Sequence, residues 1–354
     1  MLYLGCHVTM EYDDIRLFTE LGFEVFSIGN YTLPDKPGHT KGHIDKRFRH
    51  DRPPLAPNKN KDIADHFFRL NPNYETYKPI QLDQAFVNKF DVIFISHFNF
   101  YFSHLPLFKG KPIIYHTVGQ IHPQLELLLK KLRTKADFSI VRFHENEGNL
   151  KNFAGIDAAI PMYVEEDKYF GWTGTDKIVA TVGRGMKSRK VELNYEVFES
   201  ITDGFPRKIY GMSNEDLPYW GGELSFQDLI DVYKTIRVYL NTGTKPAPFT
   251  YSFVEALMTG CPIVAVGPKL GNYNLTSSGW GQSYAVHEFL ENGHNGFWAD
   301  DIPTLKCYIE HLLKSEDECV RISRNARETA IKHWSKEVIK NKWKELFSRK
   351  AIEY

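Results

Sequence analysis

Short runs of β-branched and aromatic residues recur along this chain. Most are followed by a glycine or polar stretch and then by apolar positions at helical spacing. In the first part, strands are predicted at residues 2–4, 24–28, 91–96, 111–115 and 136–141, with a helix near 12–21 closed by Gly22. The polar stretch 144–149 is predicted to start a further helix. Beyond residue 163 the alternation is cleaner. Strands are predicted at 177–182, 208–210, 238–240 and 263–266, and helices at 193–201, 226–235, 251–259 and 302–314. Such alternation implies parallel, doubly wound sheets, an α/β fold. From 320 to 349 the pattern is helical and amphipathic, with Trp334, Val338, Trp343 and Phe347 recurring on one side.

One stretch has no period. Residues 36–61 hold eight Lys or Arg against two Asp, with three His and four Pro, and read as a long loop or insertion. Two readings stay open: a solvated excursion, or a contact for a polyanion such as nucleic acid, an anionic glycan or a membrane surface. The whole chain of 354 residues balances 44 Lys and Arg against 44 Asp and Glu, so a charged partner must be held by a local patch. That length suits about two domains. Cys6, Cys261, Cys307 and Cys319 are scattered, without metal-ligand spacing or a disulfide framework, which fits a reduced, cytoplasmic setting. Residues 1–5 read as the first strand, and the run 92–102 is broken by Ser96, His97 and Asn99, so a soluble protein without a transmembrane segment is expected.

The chemistry gathers around residues 240–266, LNTGTKPAPFTYSFVEALMTGCPIVAV. A strand end, a loop rich in Thr, Gly and Pro, a helix capped by Thr250 or Ser252, a stop at Gly260 and a second strand form the unit by which α/β proteins hold phosphate. Glu255 lies in the first turns of that helix, where an acid also answers the helix dipole. Upstream, residues 181–190 read TVGRGMKSRK, a strand end followed by Gly183, Arg184, Arg189 and Lys190. Downstream, residues 292–301 read NGHNGFWADD, and His333-Trp334-Ser335 opens the tail.

In this order, over residues 178–345, these stretches resemble the C-terminal half of the family-four retaining glycosyltransferases (glycosyl transferases group 1). The resemblance implies the GT-B fold, two Rossmann-like doubly wound domains facing a cleft. It places an acceptor-side domain at 1–163, a nucleotide-sugar domain at 164–333, and a closing helix at 334–354 that crosses back onto the first domain. It implies a hexosyl- or pentosyltransferase that moves sugar from a nucleoside-diphosphate sugar to an acceptor hydroxyl with retention, needing no cofactor and no metal. Arg184, with Arg189 or Lys190, would neutralise the departing diphosphate, and backbone groups near Thr250, Tyr251 and Ser252 would meet it at the helix tip. Glu255 would accept from the ribose hydroxyls, and Tyr210, Gly211 and Leu224 would lie near the base. His116, with His97 behind it, is the implied cleft histidine. His7, Lys46, Arg47 and Arg49 join His97 as acceptor-side candidates.

The chain departs from the family pattern at Ala247, where an acid usually contacts the transferred sugar, and at Thr250, usually glycine. An unusual donor sugar such as a pentose, or a degraded site, would each explain Ala247. Two other functions therefore stand beside the first: the same chemistry on a hydroxymethylated pyrimidine in DNA, and a non-catalytic nucleotide-sugar-binding module. A nucleotide-sugar epimerase is more remote, because it needs acid–base pairs that the sequence does not offer.

Overall fold

The computed structural model describes residues 1–5, 8–29, 60–74, 78–120, 122–135, 137–271 and 283–353. The chain divides into two compact units. The first comprises Met1–Phe143, Asn152–Met162 and Lys340–Tyr354, and the second His144–Lys151 and Tyr163–Ile339.

The first unit is built on β1 (Leu2–Leu4), α1 (Val8–Glu20), β2 (Phe26–Ser27), α2 (Lys61–Leu70), α3 (Gln84–Val87), β3 (Ile93–Ser96), β4 (Ile113–His116), α4 (Pro123–Arg133), β5 (Phe138–Arg142) and β6 (Ala158–Ala159). Its strands form one parallel sheet in the order β2-β1-β3-β4-β5-β6. Strands buried on both faces read as continuous apolar runs, which is why they were visible in the sequence. The second strand is shorter than predicted and, among the described residues, pairs with β1 alone.

Asn60 caps α2, accepting from the amides of Asp62 and Ile63, so the last residues of the basic stretch start a helix. Arg142 is fully buried in β5 and forms a two-point pair with Glu126 of α4, Nη1 to Oε1 at 2.5 Å and Nη2 to Oε2 at 3.0 Å. On α1, Glu11, Asp13 and Asp14 are all buried, and the Tyr3 hydroxyl donates to Asp14 at 2.8 Å.

The second unit contains β7 (Asp176–Val182), α5 (Tyr195–Thr202), β8 (Arg207–Tyr210), α6 (Phe226–Thr235), β9 (Ile236–Asn241), α7 (Tyr251–Thr259), β10 (Ile263–Val266), β11 (Phe297–Ala299), α8 (Ile302–Lys314) and α9 (Glu316–Trp334). Its sheet is parallel throughout, in the order β11-β10-β9-β7-β8. Val179, Val238, Leu240, Val264 and Val266 meet Phe198, Ile201, Leu305, Ile309 and Leu312 in one core. Gly260 ends α7 with φ +86, and a Cβ there would lie 2.6 Å from Ser323 Oγ of α9. The predicted helix at 193 starts later, at Tyr195, because Asn194 takes a left-handed conformation (φ 51, ψ 46).

The amphipathic tail is two helices. α9 ends at Trp334, Ser335 turns out of helical geometry (ψ 154), and α10 (Lys336–Arg349) follows. Trp334 packs on Phe249, Phe253 and Phe289 in the second unit. Trp343 packs on Phe18, Phe94 and His116 in the first. Among the described residues no helix is long and apolar enough to cross a membrane.

Candidate functional site

In an open parallel sheet, ligands settle outside the carboxyl ends of the strands where the strand order reverses. In the second unit that point is the β7/β9 junction: β7 leads to β8 on one side, and the chain then returns to lay β9 on the other. The loops leaving β7 and β9 there are the two that the sequence singled out.

They are bonded to each other. Asn194 Nδ2 donates to the Thr242 carbonyl at 2.9 Å, and Thr242 Oγ1 donates to the Leu193 carbonyl at 2.8 Å. The Lys245 amide donates to the Glu192 carbonyl at 2.9 Å, and Lys245 Nζ donates to Val191 O at 3.2 Å and Asn194 Oδ1 at 3.0 Å. Lys245 is buried, and burial pulls its pKa down against the opposing effect of Glu192.

A second staple joins the β7 loop to the β8 loop. Asn214 is fully buried; its Nδ2 donates to the carbonyls of Gly183 (2.7 Å), Gly211 (3.1 Å) and Met212 (3.3 Å), while its Oδ1 accepts from the Met186 amide at 2.7 Å. The two backbones run so close that a Cβ on Gly211 would sit 2.6 Å from the Gly183 carbonyl oxygen. Gly211 also donates to the Gly222 carbonyl at 2.9 Å, so the structure brings Gly211 and Gly222 together. Burial raises the Tyr210 phenol pKa, which keeps it a hydrogen donor.

From this scaffold Arg184, Arg189 and Lys190 extend into solvent. Arg184 and Arg189 make no side-chain hydrogen bond or ion pair among the described residues. Lys190 faces Glu196 at 3.2 Å.

The β9 loop ends on the tip of α7. Thr250 is the cap, in extended geometry (φ −118), and its Oγ1 accepts from the Phe253 amide at 3.3 Å and meets Ser252 Oγ at 2.9 Å. No acidic side chain stands in the first turn of α7, which leaves the positive end of its dipole without a built-in counter-charge. Glu255 lies one turn further in, 5% exposed, with Oε1 accepting from the Tyr169 hydroxyl at 2.8 Å and Oε2 from the Tyr233 hydroxyl at 3.2 Å.

In the first unit the carboxyl ends of β3 and β4 carry unusual backbone. His97 (φ 65) and Val118 (φ 47) are both left-handed, and for a β-branched residue that is a true outlier. His97 is half-buried and its carbonyl accepts from the Tyr115 hydroxyl at 2.8 Å. His116 lies inside the core, 1% exposed, its Nε2 on the Ile160 carbonyl at 2.8 Å and its ring among Phe94, Phe143 and Trp343. Of the two predicted histidines, His97 is the one with access to solvent. His7, Lys46, Arg47 and Arg49 lie outside the described residues. No group of three His, Cys, Asp or Glu suited to a metal occurs among the described residues.

Several positioning residues had no signature in the sequence. Asn194 reads as part of the predicted helix 193–201, and nothing in the sequence singles out Asn214, Tyr169 or Tyr233. His144, at the end of β5, lies with its ring against Phe249 (5.8 Å) and Phe289 (5.5 Å), close to the α7 cap, and was passed over as a helix-starting polar residue.

Sequence comparison finds no matching family model and no matching curated protein. Comparison of folds does find matches. Sucrose-phosphate synthase from Thermosynechococcus elongatus superposes with a TM-score of 0.65 at 12% identity, covering 98% of both chains. Anabaena HepE, solved with UDP and glucose, gives 0.58 at 14% identity, again over 98% of both. An α-glucosyltransferase in complex with UDP-glucose and DNA containing an abasic site gives 0.57 at 15%, over 98% of both. End-to-end matches of this kind show the GT-B fold, with two Rossmann-like α/β units in one chain.

Proposed function

We propose that this chain is a glycosyltransferase that moves a sugar from a nucleoside-diphosphate sugar to an acceptor hydroxyl. The observation that carries the proposal is the β7/β9 switch point. A loop bearing two arginines that make no side-chain hydrogen bond or ion pair among the described residues is tied by Asn194, Thr242 and Lys245 to the loop that ends on the α7 tip. Negative charge grows on the diphosphate as the sugar leaves, and a fixed cation acts most strongly where that charge develops. In this reading Arg184 and Arg189 take that charge and the α7 amides near Thr250, Tyr251 and Ser252 cradle the phosphate. Glu255 holds the ribose, and the main chain at Tyr210, Gly211 and Leu224 borders the base.

Retention follows the family resemblance: the leaving phosphate takes the acceptor proton, without a protein nucleophile. The arginines supply the charge a metal would bring, so transfer is proposed to proceed in a chelator. His116 is enclosed, so an acceptor-side role falls to His97. Ala247 puts a methyl group where the family has an acid, which favours a sugar that lacks the hydroxyl the acid would hold.

Binding of nucleoside diphosphates, followed by donor hydrolysis without acceptor, tests the reading. Arg184→Ala and Arg189→Ala are each expected to weaken the diphosphate about tenfold or more. Lys190→Ala should change it little. Parent-like binding and hydrolysis in both arginine variants would place the site elsewhere. Binding without hydrolysis or transfer would favour the non-catalytic module.

A DNA acceptor is the second reading, motivated by the basic residues 36–61 and by the DNA in the α-glucosyltransferase complex. It requires duplex binding that weakens steeply with salt.

A further inference from the structure

We infer that one face of the first unit, formed by α4, residues 154–157 and the end of α10, docks on an anionic lipid bilayer. Its lysines meet the headgroups, while Leu127 and Ile156 enter the acyl boundary. This face is separate from the donor site, and either could exist without the other.

The face begins with the periodicity of α4. Leu125, Glu126 and Leu129 are buried, so the helix turns that side to the interior. Leu127, Lys130, Lys131 and Thr134 follow at i, i+3, i+4 and i+7 and share one exposed stripe. Leu127 is 47% exposed, and its lysine neighbours make no ion pair among the described residues. The buried Arg142–Glu126 pair pins a second exposed aliphatic to the same helix. Glu126 Oε2 accepts from the Ala154 amide at 2.5 Å, and Arg142 donates to the Gly155 carbonyl through Nε at 3.1 Å and Nη2 at 2.8 Å. Arg133 Nη1 reaches the Ala154 carbonyl at 3.1 Å, and a Cβ on Gly155 (φ +96) would lie 2.5 Å from that nitrogen. Ile156, the next residue of this pinned segment, is 37% exposed.

Charge selects the occupant. The Asp157 carboxylate meets Arg133 at 3.0 Å and Lys350 at 3.3 Å, and its main-chain carbonyl accepts from Arg349 at 3.0 Å. From Leu127 to Ala136 the sequence holds no acid. With Asp157 already shared by two cations, Lys130, Lys131, Lys135 and Arg349 stand as excess positive charge on exposed positions. A second copy of this face would set cations against cations. A nucleic acid would satisfy the lysines but gives two bare aliphatics no apolar surroundings. A bilayer with anionic headgroups takes both, with basic side chains at the surface and apolar ones about 5–10 Å deep. The pinning of 154–157 helps, because a segment already ordered loses little freedom on insertion.

Partitioning of the full chain onto vesicles tests this, with phosphatidylcholine alone set against phosphatidylcholine containing about one third phosphatidylglycerol. Co-sedimentation reads the bound fraction. The parent is expected to favour the anionic vesicles about tenfold or more, and to lose that preference as salt rises from about 0.1 to 1 M. Lys130→Gln/Lys131→Gln should lower partitioning about tenfold or more, and Leu127→Ser about fivefold at unchanged charge. Thermal midpoints should stay within about 2 °C of the parent, since all three side chains are exposed. A parent that ignores anionic vesicles overturns the proposal. So do variants that partition like the parent, which would move the contact to other basic residues such as 36–61. If only the lysine variant weakens, contact is through charge alone and the bilayer reading falls; duplex DNA displacing the vesicles would then identify a nucleic-acid face.

Discussion

Replacing Asn214 should loosen the loop that carries Arg184 without altering Arg184 itself. The fully buried amide makes four bonds across two loops, three donated to carbonyls and one accepted from the Met186 amide. Asn214→Ala leaves the Met186 N–H, on a residue 1% exposed, with no acceptor. An orphaned buried donor costs about 1–3 kcal/mol, and the loss of the donated bonds adds about 1 kcal/mol net. The sum, about 2–4 kcal/mol, corresponds to a fall of about 5–12 °C in the midpoint of a unit this size. Differential scanning calorimetry of the second unit's transition reads it directly. Asn214→Asp sharpens the test. It keeps an acceptor for Met186 but sets a carboxylate against the Gly183 and Gly211 carbonyls, so at neutral pH it should be at least as harmful as alanine. Nucleoside-diphosphate affinity should drop in both, because Arg184 loses its fixed base. Midpoints within about 2 °C of the parent in both variants would refute the stapling argument.

Burial pushes Asp14 up to about 8, with Tyr3 acting against it and Asp13 and Glu11 adding to it, so the folded state holds a proton that the unfolded chain releases near pH 4. This contribution is complete at low pH and is lost as pH rises through about 8. Asp14→Asn should therefore flatten the decline in melting temperature between pH 5 and 9, and an unchanged slope would count against it. Glu126→Gln should cost about 3–5 kcal/mol by neutralising the two-point partner of the buried Arg142, with much of the loss recovered in Glu126→Leu/Arg142→Leu; urea titration measures both. Thr250→Ala should remove about 1 kcal/mol of helix capping, seen as a lower thermal midpoint.

How far the sequence could be read depended on what each residue was asked to do. The α6, α7, α8 and β10 boundaries were predicted to the residue, because cap, apolar spacing and stop all agree there: Ser225 and Thr250 cap, Gly260 stops. The α5 start was misplaced by two positions because Asn194 spends its conformation and its amide on Thr242 and Lys245, a tertiary demand with no local sign. At Ser335 the amphipathic pattern itself runs on unbroken, and only the family resemblance, which starts a closing helix at 334, marks the break seen there. Arg142 could not be told from an edge residue of a strand, since its partner Glu126 lies on another element. In the candidate site, cations, cap and acid were legible as types in order. The residues that hold them, Asn214, Tyr169 and Tyr233, act through three-dimensional proximity alone.

The two tryptophans on either side of Ser335 make the two units optically separable. Among the described residues, Trp343 is the only tryptophan in the first unit, where it is 1% exposed among Phe18, Phe94 and Phe347. Emission from a variant that keeps Trp343 and replaces the others therefore follows the first unit alone. The Trp343→Phe protein, viewed at the same wavelength, follows the second. A chain cut short before residue 340 would lose this lamp together with the aromatic wedge it belongs to.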